Sequence, residues 1–567
     1  MPGHVFVVHS RMEGVQYDVA VVHTSPEFHV RHYWGKVLGI TKLIDKTHLD
    51  VEHLRPEGWP RHGFARVPSQ PGPGPAKPAW FLDVAARSPE ALMANLEGAL
   101  LDIAAAGVKA DAGRLKPLVA LSVIGVQGGG FGSIRGQVID LMFQVCHTFV
   151  ATRDIDLVIA CADASDYAAF QHQRRQHGAF PGLNAELKEH GMRLAQLAQR
   201  GDLALFLGAG VSMPAGLPSW WDLLVRLGRR CGVSPDELRS LESPLDQAEL
   251  VRRRLSIQGT SLKAAVKEEF GGRDTPSLSH VQLAALGCRE VVTTNFDSLY
   301  ETAVNACLED SKDWIKVLPF EQQKPFHRWI LKMHGDLEHD GELILSRSDF
   351  VGYSAAHGPV GSIVQSLMLT KHLLVVGTSL TDDNFLRLAY EVTNYLRPLG
   401  SGSTKMEPLG TVLALRAEQP KRWLWEGTFN VIGASEVPDM LEEVWSDEEA
   451  TAAGKSVADA RARDLSVMLD FIAMHAAQEN YLLDERYAAL LDSNESAAAQ
   501  KASDLCSALG QLPQASDEHS GWHRLRDLLK ELGADQKGSG ARQGVHARDA
   551  SRLHGSRRDG GQGTQLR

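Results

Sequence analysis

The chain has 567 residues, of which 43% are hydrophobic and 23% charged, a composition typical of globular proteins with two or three domains. Its formal net charge is −11, so overall electrostatics give it no reason to bind nucleic acid. No apolar run approaches the roughly 20 residues that cross a bilayer, and the amino terminus lacks a basic segment followed by a long apolar one. We therefore expect a cytoplasmic protein that does not associate with membranes.

The first region, residues 1–180, opens with strand-like stretches at His4 to His9 and at Tyr17 to His23. A proline-rich stretch from Pro68 to Pro78 is typical of an exposed loop. The segment that starts at Ser88 and stops at Gly107 has the capping residues and the apolar spacing of a helix. These elements together predict an α/β domain.

A glycine-rich loop follows the next predicted strand of this region, Pro117 to Ile124, and precedes an amphipathic helix. One interpretation is a regulatory nucleotide site, because glycines at that position let backbone N–H groups face a phosphate. The other is a tight turn packed by glycine. The residues concerned are Gly128, Gly129, Gly130 and Gly132. The succession of strand, glycine loop, helix and strand resembles the phosphate-binding half of macrodomains, which bind ADP-ribose and related nucleotides, and this implies a sensor domain without enzymatic activity.

Four short blocks downstream contain most of the functional information. They are FLGAGVS ending at Ser212, TTNFD ending at Asp297, KMHGD around His334, and VVGTSL ending at Leu380. Each block except KMHGD is predicted to follow or end a buried strand, at the edge where open α/β sheets bind ligands. The third block adds a histidine, whose unperturbed pKa lies near neutrality. Together the blocks predict a nucleotide site.

The first block is predicted to be a strand, Leu203 to Leu207, followed by Gly208 and Gly210, which allow a tight turn close to a ligand. A helix start is expected next, so that backbone N–H groups and the positive end of the helix dipole face a pyrophosphate. The cofactor-binding residues expected from the blocks are Gly208, Ala209, Gly210, Val211, Ser212, Thr294, Gly377, Thr378 and Ser379.

The order and wording of the blocks resemble the sirtuin-like NAD-binding family, and the similarity continues through GLPSWWDLL, LILSRSDF and TDDNF. The resemblance implies a Rossmann-like sirtuin-type domain with a parallel sheet at residues 181–435. In this family the glycine loop holds NAD, Asn and Asp face the nicotinamide ribose, and His acts as a base on a ribose hydroxyl. By resemblance these catalytic roles fall on Asn295, Asp297 and His334.

Two features differ from the protein-deacylating members of that family. The chain has six cysteines: Cys146, Cys161, Cys231, Cys288, Cys307 and Cys506. They form no Cys-x-x-Cys pair, so we expect neither zinc nor any other metal. Ser219, Trp220 and Trp221 stand where a deacylase has an acidic residue, an aromatic residue and an arginine. Both differences match the bacterial sirtuin-like proteins of phage defence, whose known members consume NAD.

The expected chemistry follows from these residues. Cleavage of NAD+ between nicotinamide and ribose develops positive charge on the ribose, which a carboxylate or an amide dipole stabilises. Asp297 and Asn295 suit that task, and Asn295 could also orient the attacking water. His334 could bind a ribose hydroxyl or accept a proton, and the sequence does not separate these two roles.

The leading functional hypothesis is an NAD+ hydrolase that yields nicotinamide and ADP-ribose. By resemblance it would deplete NAD+ in antiviral defence, as an effector of abortive infection. One alternative is a non-catalytic sensor or scaffold that binds NAD+ or ADP-ribose. The other is a protein deacylase or an ADP-ribosyltransferase. We also expect a homo-oligomer, and a nucleotide or a phage-derived molecule as the trigger.

The remaining segments are predicted to be helical or disordered. Residues 244–267 form a charged helical insertion, interpreted either as an active-site lid or as a solvated helical face. Residues 436–535 are expected to be helical, whereas residues 536–567, rich in Gly, Ser and Arg, are expected to be disordered. The predicted fold is thus an α/β protein with a macro-like domain, a sirtuin-type domain and a helical segment.

Overall fold

The structure, a computed structural model, describes residues 2–69, 74–111, 113–178, 180–306, 315–323, 327–397, 407–437, 447–510 and 521–534. Cys307, part of the proline-rich loop and the predicted disordered tail lie outside the described residues. The chain divides into two compact units, Met1–Gln478 and Glu479–Arg567. The predicted division into four parts is not tested by this and stays a prediction.

The first sheet is built from six short strands, all largely buried except the third. They are β1 (Val5–His9), β2 (Val19–Thr24), β3 (Phe64–Arg66), β4 (Ala79–Asp83), β5 (Leu118–Ser122) and β6 (Asp156–Cys161). Their spatial order is β1-β6-β5-β2-β4-β3, and all pairs are parallel except β3 with β4. The predicted strands near His4 and Tyr17 correspond to β1 and β2.

The helices of the first region are α1 (Gly35–Leu38), α2 (Pro89–Ala105), α3 (Arg135–Thr152) and α4 (Ala164–His177). Helix α2 begins where the sequence predicts, because the Ser88 side chain accepts a hydrogen bond from the backbone N–H of Ala91. The glycine-rich loop connects β5 to α3. The region is therefore an α/β unit, and its macro-like character stays a prediction.

The second sheet is fully parallel among the described residues. Its strands are β7 (Leu203–Leu207), β8 (Glu290–Thr293), β9 (Ile315–Leu318), β10 (Arg328–Lys332), β11 (His372–Val376), β12 (Gly410–Ala414) and β13 (Phe429–Gly433). The spatial order is β13-β12-β11-β7-β8-β10-β9. Because later strands lie on both sides of β7, the carboxyl end of β7 is a topological switch point, where open α/β sheets form their binding crevice.

Helices cover this sheet, as continuous apolar strands require. They are α5 (Ala185–Arg200), α6 (Trp220–Arg230), α7 (Pro235–Arg239), α8 (Pro244–Ile257), α9 (Leu262–Phe270), α10 (Leu278–Ala285), α11 (Leu299–Ala306), α12 (Arg347–Ala356), α13 (Gly358–Thr370), α14 (Asp383–Leu396) and α15 (Gln419–Leu424). A long helix, α16 (Asp447–Ala476), packs against α4 and β1 of the first region and against α5 and α10 of the second.

The second compact unit contains α17 (Ser493–Gly510) and α18 (Gly521–Glu531). A small apolar cluster that includes Leu483, Leu509 and Leu529 holds it together. Among the described residues of the whole chain, no helix combines the length and the apolar character needed to cross a membrane.

Candidate functional site

A cavity of about 540 Å³ lies at the carboxyl ends of β7, β8, β10 and β11. The predicted site residues that line it are Gly208, Ala209, Ser212, Thr294, Asn295, Asp297, His334, Gly377, Thr378 and Ser379. They come together because parallel strands end at the same edge of the sheet, so that the turns after neighbouring strands meet. Gly210 and Val211, also predicted to bind the cofactor, are not part of this lining.

Glycines let the turn after β7 pack directly on the turn after β11. A Cβ atom at Gly208 would lie 2.5 Å from the carbonyl oxygen of Gly377, and one at Gly377 would lie 2.6 Å from the backbone nitrogen of Val211. Gly377 also has a φ of +74°, which favours glycine. The N–H of Gly210 donates to the Gly377 carbonyl at 2.8 Å. The close contact between the two turns is therefore enough to require glycine at these positions, with or without a bound ligand.

The expected helix start after the first glycine block is wrong. Two 3₁₀ turns, Ala209–Val211 and Met213–Ala215, follow β7, and the first α-helix begins only at Trp220. Gly216, with a φ of +90°, ends the second turn. In and before the first turn, the backbone N–H groups of Gly208, Gly210, Val211 and Ser212 donate to protein carbonyls. These four donors are used within the protein, which leaves them unavailable to a pyrophosphate.

The hydroxyl of Ser212 is the centre of a hydrogen-bond network in the cavity. Its Oγ donates to Asp297 Oδ2 at 2.9 Å and accepts from Asn295 Nδ2 at 3.1 Å. The same Nδ2 donates to the Gly208 carbonyl, also at 3.1 Å. Because both amide hydrogens of Asn295 are used in this way, its Oδ1 is the atom with which Asn295 can meet a ligand.

A buried histidine of α10, His280, completes this network. Its Nδ1 accepts from the backbone N–H of Ser277 at 3.2 Å, so the ring hydrogen is on Nε2, which lies 3.2 Å from Ser212 Oγ. Burial lowers the pKa of His280 to about 4, which keeps the ring neutral. Sequence reasoning missed His280, because nothing local distinguishes it from a histidine packed in a core.

A buried cation supports the turn that carries Asp297. Lys332, at the end of β10, donates to the backbone carbonyl of Asp297. Its Nζ also lies 2.8 Å from Glu301 Oε1 and 3.1 Å from Asp336 Oδ1. Burial opposes the charge, but these carboxylates raise the pKa of Lys332, so the ammonium group persists. The position of Asp297 therefore depends on an ion cluster beneath the cavity.

His334 follows β10 by two residues and is 4% exposed. Its Nε2 lies 3.3 Å from Asp382 Oδ2, without the geometry of a hydrogen bond. Burial lowers the pKa of His334, and the Asp382 carboxylate counters part of that effect. Asp382 belongs to the TDDNF block, but sequence reasoning gave it no role. Its other oxygen caps α14 by accepting from the Phe385 N–H at 2.8 Å.

The start of the helical insertion forms part of the cavity wall. Ser243, Pro244 and Leu245, at the beginning of α8, line the cavity. Asp246 pairs with Arg347 of α12 at 2.9 Å. This exposed ion pair connects the insertion to α12. Ser219 and Trp220, which stand where a deacylase has an acidic residue and an aromatic residue, line the cavity as well.

No group of three or more His, Cys, Asp or Glu side chains is arranged to hold a metal ion within the part of the chain that the structure describes. The described cysteines are free thiols. The expected absence of zinc stays a prediction.

Part of the chain is similar to known proteins. Residues 289–407 match the model of the SIR2-like domain family. This part of the chain is similar to SIR2-like domains. The prediction of a sirtuin-like Rossmann-type α/β fold with a parallel sheet is thereby confirmed.

Several curated relatives are similar to part of the chain. It is 30% identical over 196 residues to the NAD(+) hydrolase ThsA of Bacillus cereus (strain MSX-D12), across 33% of this chain and 40% of that protein. It is 25% identical over 217 residues to defense-associated sirtuin 2 of Bacillus subtilis, across 37% of this chain and 21% of that protein. It is also 25% identical over 207 residues to the NAD(+) hydrolase ThsA of Enterococcus faecium, across 36% and 43% of the two chains. The chain thus spans less than half the length of each of these relatives.

One solved structure, titled "Structural Basis for the Mechanism and Regulation of Sir2 Enzymes", aligns with 50% of this chain and 99% of its own at 15% identity. The TM-score of that alignment is 0.25, which supports no conclusion about the fold.

Proposed function

We propose that the protein is an NAD+ glycohydrolase, which cleaves NAD+ to nicotinamide and ADP-ribose. The observation that carries this proposal is the presence of Ser212, Asn295, Asp297 and His334 on one cavity at the ligand edge of a parallel sheet. The relatives named NAD(+) hydrolase and defense-associated sirtuin support the same activity and a role in bacterial defence.

The bond that breaks joins ribose C1′ to the ring nitrogen of nicotinamide. Its electron pair goes to that nitrogen and neutralises the cationic ring, so the leaving group needs no proton. Positive charge develops on the ribose, and the Asp297 carboxylate stabilises it. The hydrogen bond from Ser212 to Asp297 Oδ2 supports this role, because it fixes the carboxylate before the substrate reacts.

Water supplies the nucleophile. Its oxygen forms a bond to C1′ while one of its protons leaves to a base. Asn295 Oδ1 is oriented to accept a hydrogen bond from that water, because Gly208 and Ser212 hold the amide nitrogen. Neutral His334 accepts the proton, directly or through a ribose hydroxyl, and the Asp382 carboxylate 3.3 Å away stabilises the imidazolium that forms.

We further propose that the protein acts as a homo-oligomer that depletes cytoplasmic NAD+ during phage infection, as an abortive response. A non-catalytic NAD+ sensor is the second candidate. A sensor would need the glycine turns to bind NAD+. It would not need the buried His280 and Ser212 to orient the Asn295 amide and the Asp297 carboxylate, so this network favours the hydrolase.

The test is to incubate the purified full chain with NAD+ and to separate nicotinamide, ADP-ribose, cyclic ADP-ribose and O-acetyl-ADP-ribose by liquid chromatography. The proposal expects nicotinamide and ADP-ribose in equal amounts, with His334→Ala as the inactive control. NAD+ that binds but stays intact would favour the sensor. O-acetyl-ADP-ribose formed only with an acetylated peptide would favour a deacylase.

A further inference from the structure

The first region has a cavity of its own, of about 310 Å³. His23 of β2, Ser122 of β5 and Ala160 of β6 are among the residues that line it, so it lies at the carboxyl edge of the first sheet. Parallel sheets bind ligands at this edge. The cavity shares no lining residue with the one that contains Asn295.

Aromatic rings form one wall of this cavity. The ring centroids of Tyr33 and Trp34 are 5.6 Å apart, and those of Trp34 and His23 are 5.1 Å apart. Tyr33 is 43% exposed, so its ring is accessible to a ligand. Gln127 and Asp163 add an amide and a carboxylate to the lining. Aromatic faces beside a few polar groups suit a planar nucleobase and the hydroxyls of a ribose.

The glycine-rich loop next to this wall offers a place for an anion. Gly128 and Gly130 have φ values of +88° and +94°, in the turn that leads from β5 toward α3. A Cβ atom at Gly128 would lie 3.5 Å from Arg31 Nη2, which places a guanidinium beside the turn. A cation beside a glycine turn favours a phosphate group. Gly129 has a packing role instead, since its Cβ would lie 2.5 Å from the Val84 carbonyl oxygen.

One loop, residues 11–16, connects this cavity to the segments around Ser212 and His280. Residues 11–13 line the cavity. At the other end of the loop, the backbone N–H of Gln16 donates to the Pro276 carbonyl at 3.0 Å. The side-chain Nε2 of Gln16 donates to the Ala215 carbonyl at 3.1 Å.

Both of these carbonyls belong to segments that position the Ser212 network. Ala215 ends the 3₁₀ turn that begins directly after Ser212. Pro276 precedes Ser277, whose N–H binds His280 Nδ1 and so sets the ring hydrogen that faces Ser212. Movement of the loop would therefore reach the Ser212 hydroxyl from two sides.

We propose that the cavity of the first region binds a nucleotide, and that the 11–16 loop transmits its occupancy to Ser212. The base lies against Tyr33, and the phosphate lies at Gly128 and Arg31. The nucleotide stabilises the catalytically competent arrangement of Ser212, Asn295 and Asp297, so it activates the site. The effect on turnover rests on the NAD+ hydrolase function proposed above, whereas the binding and the structural coupling do not.

Binding is tested by calorimetry on the full chain with four probes, AMP, GMP, CMP and UMP, and with adenosine as the probe without phosphate. At least one monophosphate should bind, and Tyr33→Ala should weaken it about tenfold or more, because base stacking is lost. Arg31→Ala should reduce the affinity for the monophosphate toward that for the nucleoside. Arg61→Ala, which removes an exposed arginine of the same region that does not approach Gly128, is the matched control.

A failure of all four monophosphates to bind would overturn the proposal. So would affinities that Tyr33→Ala and Arg31→Ala leave unchanged, because the nucleotide would then occupy another site. Both side chains are exposed, so both variants are expected to fold.

Coupling is tested by hydrogen exchange with and without the monophosphate that binds. In the wild type, peptides that cover residues 11–16 and 209–217 should both gain protection. In Gln16→Ala the peptide that covers residues 11–16 should still gain protection. The peptide that covers residues 209–217 should not, because the hydrogen bond from Gln16 to Ala215 is gone. Protection confined to residues 11–16 in the wild type would refute the coupling.

Turnover separates the two proposals. The monophosphate should raise kcat/KM for NAD+ by about 5- to 150-fold in the wild type, the usual range of coupling between two sites, and less than about twofold in Gln16→Ala. A wild type that shows the exchange response but never cleaves NAD+ refutes the hydrolase and keeps the nucleotide site. One that cleaves NAD+ equally with and without the monophosphate refutes the coupling.

Discussion

Asn295 shows how the site orders a single side chain. Its two amide hydrogens are committed to Gly208 and Ser212, which leaves the carbonyl oxygen that we propose orients the attacking water. We predict that Asn295→Ala reduces NAD+ turnover about 100-fold or more, the usual effect of removing a preorganised dipole. The half-buried side chain contributes little to the core, so the melting temperature should change little. A folded variant with wild-type turnover would contradict the assignment.

Asp382 has two functions that substitution can separate. Asparagine caps a helix about as well as aspartate, so Asp382→Asn keeps the start of α14 while it removes the charge beside His334. We predict that kcat falls about tenfold, because the imidazolium loses its counter-charge.

The pH profile distinguishes this role from a structural one. The Asp382 charge raises the pKa of His334 against the effect of burial, so its removal should move the acid limb of the kcat/KM profile to lower pH. Asp383→Asn, at the adjacent position of α14, should leave that limb unchanged. An acid limb at the same pH in Asp382→Asn and the wild type would show that Asp382 does not act on His334.

At the scale of elements, α16 joins the first region to the region that contains the second sheet. Its Asp470 is fully buried and accepts from His4 Nε2 at 2.7 Å and from Arg174 Nη1 at 3.1 Å. The same helix packs against α10, which carries His280. The helix thus holds the two regions in one compact unit around a buried charge cluster.

We predict that Asp470→Ala lowers the free energy of unfolding by about 3 to 5 kcal/mol, because it leaves the Arg174 guanidinium buried without its carboxylate. Urea denaturation followed by circular dichroism measures the change. Glu391→Ala, which removes a half-exposed partner of Arg387 on α14, should change it by less than about 0.5 kcal/mol. Equal losses in the two variants would show that burial of Asp470 is not the cause.

At the scale of the whole molecule, buried neutral histidines set the response to acid. Burial lowers the pKa of both His23 and His280 from 6.5 to about 4. Between pH 6.5 and about pH 4 the unfolded chain binds more protons than the folded one. The full contribution of these histidines to the free energy of unfolding is therefore present above pH 6.5, and it is lost as the pH falls toward 4.

We predict that each of these histidines lowers the free energy of unfolding by roughly 2 kcal/mol at pH 5, relative to pH 7. Urea denaturation at pH 7, 6 and 5 measures the trend. The same unfolding midpoint at all three pH values would mean that neither ring is buried in the neutral form.

The composition of the whole chain also bears on metal content. Without Cys-x-x-Cys pairs, we expect less than stoichiometric zinc, and chelators should alter neither the melting temperature nor NAD+ turnover. Elemental analysis of the purified protein tests this. One tightly bound zinc per chain would overturn this interpretation of the cysteines and reopen the deacylase hypothesis.

The sequence alone determined most of the local elements and the resemblance of the predicted nucleotide site to sirtuins. An apolar run bounded by glycine is a local signal, and the predicted strand Leu203 to Leu207 coincides with β7. Three of the four blocks that resemble sirtuins, TTNFD, KMHGD and VVGTSL, lie within residues 289–407, which match the SIR2-like family model, and FLGAGVS precedes that range. Parallel strand ends bring such blocks together, so Asn295 and Asp297 line one cavity, as their positions after a predicted strand indicated, and His334 joins them although no strand was predicted before it.

Only the tertiary structure decided which partners these residues have. His280 is 68 residues from Ser212 in the chain, and no periodicity predicts that their side chains meet. The same limit explains the wrong helix start after β7, because the acceptor that occupies the Gly210 N–H is the carbonyl of Gly377 on a later strand turn. The bridge from Gln16 to Ala215 likewise depends on how the two sheets pack. Hydrogen bonds between distant segments follow from strand order and packing, which no local pattern of residues encodes.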